Sequence, residues 1–162
     1  MKSIAKFAVL LCALTVVAYA APNAQESFDQ LKSLAGTWEG TTPKGPVQVS
    51  YRVMANGSSV VSEISGHEDN MISVFNMDKD RLLMTHYCGA GNQPRMVAST
   101  SPDGKTLTFD FVDGTNILPS QNGHMGRLIV NMADADHHSE LWVFKTNDGK
   151  EMKETFELTR KK

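Results

Sequence analysis

A chain of 162 residues, 41% of them hydrophobic, is long enough to bury one sizeable core without covalent staples. Its net charge of −2, with basic residues scattered rather than clustered, argues against a nucleic-acid or anionic-membrane surface. Two cysteines, one of them in an N-terminal apolar run, leave no pair for an internal disulfide in the folded part.

That apolar run, residues 7–17, follows Lys2 and Lys6 and ends before Ala18-Tyr19-Ala20. A basic start, a short apolar stretch and a small-x-small site predict a signal peptide over residues 1–20, cleaved before Ala21. The product is then exported, to the periplasm or the medium, as one domain spanning 21–162. The run is too short for a membrane span, and no later stretch approaches the ~20 residues a span needs. Cys12 follows Leu11, where a lipoprotein signal carries a small residue, so a soluble product is expected. Cys88 then stands alone, and a buried thiol packed as a small hydrophobe accounts for it; contact with a ligand, a reactive thiol or an intermolecular disulfide are the alternatives.

Residues 24–35 carry the helical pattern. Phe28, Leu31, Leu34 and Ala35 share one face, Glu26, Asp29 and Lys32 lie off it, and Gly36 reads as the stop. From Gly36 onward the period changes from 3.6 to 2. Gly36-Thr37-Trp38-Glu39-Gly40 opens a strand, and Val47, Val49, Tyr51 and Val53 alternate with polar residues in the next. Asn56-Gly57 predicts a two-residue type I′ turn. Val60 and Ile64, then Phe75 and Met77, mark further strands, separated by a turn at His67-Glu68-Asp69-Asn70.

Leu82, Met84, His86 and Cys88 share one parity of the following strand, with Thr85 and Tyr87 on the other. A Gly-Ala-Gly-Asn-Gln-Pro turn leads back through Arg95, so His86, Tyr87, Cys88 and Arg95 are expected to meet at the mouth of a hairpin. Pro102-Asp103-Gly104 turns into a strand with Leu107, Phe109 and Phe111. After a polar connection over 113–123, three more strands cover 124–132, 139–145 and 152–158. Arg160-Lys161-Lys162 reads as a solvated tail. About ten short strands joined by short turns, with no intervening helices, predict an all-β fold: an antiparallel up-and-down β-barrel with one short N-terminal helix.

The helix running into Gly36-Thr37-Trp38 on the first strand resembles the calycin superfamily of lipocalins, fatty-acid-binding proteins and nitrobindin-like barrels. With about ten strands the chain looks most like the nitrobindin-like branch. The stretch from Thr85 to Met96, and Asp134-Ala135-Asp136-His137-His138 with Trp142, resemble an exported bacterial family of uncharacterised calycin-like domains. The resemblance implies a central cavity for an apolar or amphipathic ligand, with Trp38 sealing the closed end. It also implies haem, held in nitrobindin-like barrels by a histidine near the C-terminal strands. The last strand here has no histidine, and the nearest is His138.

His86 is the sharpest candidate for chemistry, because its parity turns it inward with Leu82 and Met84. A neutral imidazole there can hydrogen-bond a ligand head group or ligate a metal or haem. Cys88 lies about 7 Å further along the same face, too far for a nucleophile–base pair. Arg95 can anchor an anion, or pair with Glu154, which its parity places among Met152, Phe156 and Leu158. His137 and His138 point to opposite faces and cannot both ligate one ion, so the acidic residues before them suit a turn. Met71, Met77, Met84, Met96, Met132 and Met152 suit either a core or a cavity of adaptable shape. The leading expectation is a carrier of a small hydrophobic or amphipathic molecule, contacted by His86, Tyr87, Cys88, Arg95, Trp142 and Glu154. A haem or metal protein using His86 or His138, and a packed barrel that binds other proteins, are the alternatives.

Overall fold

A computed structural model describes residues 22–66 and 70–162. The predicted leader, and residues 67–69 of the predicted turn before Met71, lie outside the described residues. Helix α1 spans Ala24–Ser33 and is set by a capping box. The Asn23 side chain accepts the Glu26 N–H at 2.9 Å, and the Glu26 carboxylate accepts the Asn23 N–H at 2.9 Å. Phe28 and Leu31 are buried as their spacing predicts. The helix stops earlier than expected: Leu34 is its C-cap, Ala35 is exposed, and Gly36 (φ 134°) already belongs to the first strand.

Ten strands follow among the described residues: β1 (Gly36–Thr42), β2 (Gly45–Met54), β3 (Ser59–Ser65), β4 (Met71–Asp78), β5 (Arg81–Tyr87), β6 (Gln93–Thr100), β7 (Thr106–Thr115), β8 (Gly123–Met132), β9 (His137–Thr146) and β10 (Glu151–Arg160). Each pairs antiparallel with its sequence neighbour, and β1 pairs with β10 to close the sheet. This is the predicted up-and-down barrel, and closure leaves no unpaired edge. The β2–β3 connection is longer than Asn56-Gly57 suggests. Met54 pairs with Ser59, so Ala55, Asn56, Gly57 and Ser58 form the loop, with φ of 51°, 54° and 84° at the first three.

The seam between first and last strands is drawn unusually close at Gly40, where a Cβ would stand 2.3 Å from the Glu157 carbonyl oxygen. Beside it, Trp38 faces Arg160 across the ladder. The Arg160 guanidinium lies 4.1 Å from the centre of the Trp38 ring. It also donates to the carbonyls of Ser33, Ala35 and Ala135, at 3.0, 2.8 and 2.9 Å. One cation thereby satisfies acceptors left open at the end of α1 and ties the helix to the β8–β9 turn. Arg160 is thus part of the last strand, and Lys161 continues the pairing through its N–H to the Thr37 carbonyl at 2.8 Å. The expected solvated tail is a clasp, because the register that closes the barrel pairs Leu158, Thr159 and Arg160 with Gly40, Glu39 and Trp38.

Alternate residues face inward. Val60, Phe75, Leu82, Met84, Met96, Leu107, Phe109, Leu128 and Val130 are completely buried and fill the half of the barrel covered by α1. Phe75 and Phe109 meet edge to face, with ring centres 5.3 Å apart. That half is a solid core. The opposite end is different, and the candidate site lies there.

Candidate functional site: an open mouth above a buried polar array

The turns β1–β2 and β5–β6, the start of β4, and the facing ends of β8, β9 and β10 surround a cavity of about 800 Å³. It opens at the end away from α1, whose Ser27 hydroxyl instead lies 2.6 Å from Thr100 at the far end of β6. Its walls are mostly apolar, from Met71, Met125, Trp142, Phe144 and Met152, and Cys88 also lines it. Lys44, Lys153 and Glu154 stand at the rim, with Lys44 paired to Glu154 at 3.2 Å. A mouth of this size, apolar with a few polar groups at its edge, is what small-molecule sites require.

Beneath the mouth lies a polar array that the inward parity of β9 creates. His138, Glu140 and Trp142 alternate along one strand face and are all buried. The Glu140 carboxylate accepts from the Tyr51 hydroxyl on β2 at 2.6 Å and from the Trp142 indole N–H at 2.9 Å. His138 Nε2 lies 3.3 Å from the same carboxylate. The His138 ring also stacks edge-on against Trp38, centre to centre 4.2 Å. On the other side, the His86 ring is 4.8 Å from the Trp142 ring, and its Nδ1 shares a 2.9 Å hydrogen bond with the Ser73 hydroxyl. Burial, reinforced by the neighbouring Glu140, pushes the Tyr51 hydroxyl well above its ordinary pKa. Burial pulls His86 down from 6.5 to about 4, with Glu140 opposing the change, so its imidazole is neutral at neutral pH.

This has a measurable consequence. The unfolded chain takes up a proton at His86 below pH 6.5, whereas the folded chain does not until about pH 4. Stability should therefore fall as pH drops through that window, by about 3 kcal/mol in total from this one group. Urea unfolding of wild type and His86→Gln between pH 7 and pH 4 checks it. The variant should lack this part of the slope, and parallel curves would contradict the burial of a neutral imidazole.

The structure separates the predicted site residues. Trp142, Cys88 and Glu154 line the mouth, Cys88 and Glu154 on the inward parity expected of them. His86 does face inward, but it is fully buried below Trp142 and is not part of the cavity wall. Tyr87 is 46% exposed on the outer face, beside Ile72. Arg95 also points outward and forms a bidentate pair with Asp113, at 2.6 and 2.7 Å, so the expected Arg95–Glu154 pair does not form. A register shift between Arg95 and Met96 accompanies this, and Met96, directly after it, takes the inward position. The four residues expected to meet at one hairpin mouth are thus divided between core, cavity and outer surface.

His137 and His138 do face opposite ways. His137 Nδ1 is 2.9 Å from the Asp134 carboxylate in the turn, while His138 is buried. Among the described residues no group of three or more His, Cys, Asp or Glu side chains is arranged to hold a metal ion. Among the described residues no imidazole lines the mouth, so none of the described histidines is placed to hold haem there. Tyr51, Ser73 and Glu140 were not singled out from the sequence. The available signal was Glu140 itself, a carboxylate between His138 and Trp142 on an inward parity.

No protein-family model matches the sequence, and no curated protein is significantly similar to it. Among solved structures the fold is similar to the crystal structure of Rv2717c from M. tuberculosis, with a TM-score of 0.55 and 14% sequence identity. That match covers 84% of this chain and 98% of the other, and it establishes a shared barrel architecture.

Proposed function

We propose that this protein is a carrier of a small hydrophobic or amphipathic molecule, held in the open mouth of the barrel, and that the N-terminal leader makes it an exported one. The observation that carries the reading is the cavity of about 800 Å³ with walls of Met, Phe and Trp. A barrel built only to be stable would continue its packed core to both ends. Three methionines at the wall, Met71, Met125 and Met152, give a surface that adapts to varied apolar shapes. Trp142 supplies a flat aromatic floor, and the Lys44–Glu154 pair offers polar contacts at the entrance.

Calorimetric titration with dodecanol, below its solubility limit, tests this. Wild type should take up one molecule in a saturable manner. Ala90→Phe, which adds bulk to the cavity wall while leaving the core untouched, should weaken uptake by about tenfold or more. Absence of saturable uptake by wild type, or equal uptake by the variant, would contradict binding in the mouth.

A further inference from the structure

Five polar side chains, Tyr51, Ser73, His86, His138 and Glu140, are buried in the interior of a barrel whose remaining inward positions are mainly apolar. Burying such groups is costly unless every one is hydrogen-bonded, and here the set is incomplete. His86 Nε2 and His138 Nδ1 are buried without a partner. The array also abuts the cavity through a single side chain. Trp142 lines the mouth, packs on His86 and donates its indole N–H to Glu140 Oε2.

We propose that this array is a head-group subsite. The Glu140 carboxylate, flanked by Tyr51 and His86, receives a hydrogen-bond-donating head, an amine or a hydroxyl, from an amphiphile whose apolar tail fills the mouth. The inference rests on the carrier reading and specifies its ligand class. Rotation of the Trp142 indole away from Oε2 opens the way, and the head's N–H or O–H then takes the bond that the indole gave up. The hydrogen-bond count at Glu140 is unchanged by the exchange. The wall around Trp142 includes the flexible side chains of Met71, Met125 and Met152, which can accommodate the displaced ring.

The sign of the site follows from its composition. No lysine or arginine is among the hydrogen-bond partners of Glu140, so a donor head is attracted and a carboxylate head is repelled. The rim is balanced instead, because Lys44 is paired with Glu154 and Lys153 with Glu151. Anchoring at the rim alone therefore predicts little preference between head groups, whereas anchoring at the array favours a donor.

Dodecylamine and dodecanoate, titrated calorimetrically below their micelle concentrations, and dodecanol, below its solubility limit, separate the two. The subsite predicts that dodecylamine binds about tenfold or more tightly than dodecanoate to wild type. Glu140→Gln should abolish most of that preference, and the ring nitrogen resonances of His86 should shift when dodecylamine is added to wild type. Tighter binding of dodecanoate, or a preference unchanged in Glu140→Gln, would overturn the subsite while leaving a carrier anchored at its rim. Absence of saturable binding by all three probes would defeat the carrier reading itself. The wild-type comparison stands even if the variant folds poorly.

Discussion

Trp38→Ala should lower the unfolding free energy by about 4 kcal/mol in urea denaturation. The ring is fully buried, and its removal leaves a cavity between the helix and the seam that closes the barrel. The change also takes away the indole donor to the Leu34 carbonyl at 2.8 Å, the face on which Arg160 rests, and the edge contact to His138. Transfer, packing and a buried hydrogen bond are lost at one site, which is why the effect should be near the top of the usual range. Trp38→Phe keeps most of the ring and should cost about 2 kcal/mol. A loss below about 1 kcal/mol for the alanine variant would mean that the β1–β10 seam does not depend on this residue.

Glu140→Ala should have the second-largest effect, about 3 kcal/mol, although it removes a charged group from the core. The reason is what it leaves behind. The Tyr51 hydroxyl and the Trp142 indole N–H each lose their acceptor in a place water does not reach, and His138 loses its neighbour. Glu140→Gln retains one acceptor oxygen and should cost about half as much. Denaturant titration of both variants orders them. Equal losses would show that the cost comes from removing the charge, whereas no loss in either would show that the array contributes nothing to folding.

How much of this was legible in the sequence differs from residue to residue. Period-2 alternation from Gly36 onward reveals the strands, and inward parity correctly turns His86 and Glu154 toward the barrel interior. These are local properties, and backbone pleating dictates them within a few residues. Trp38 at the closed end comes from the resemblance rather than from local pattern, and the ring is fully buried there beneath the helix. Partners across the barrel are another matter. Tyr51 and Glu140 are 89 residues apart in sequence and meet only because the sheet closes. Arg95 was expected to anchor an anion or to pair with Glu154, but it lies on the outward parity of β6, where Asp113 on β7 takes it as a partner. Arg160 looked like a solvated tail because nothing local says that the last strand returns to the first. Depth was also hidden. Parity distinguishes inside from outside, but it does not tell a wall residue such as Cys88 from one sealed beneath the floor such as His86.

The most direct single test follows the emission of Trp142 in a Trp38→Phe background, where it is the remaining tryptophan, during titration with dodecanol. Filling of the mouth should give a saturable, one-to-one spectral change together with protection of Trp142 from acrylamide quenching. Unchanged emission and unchanged quenching at saturating probe would mean that the mouth is not a binding site, and the carrier assignment would fall.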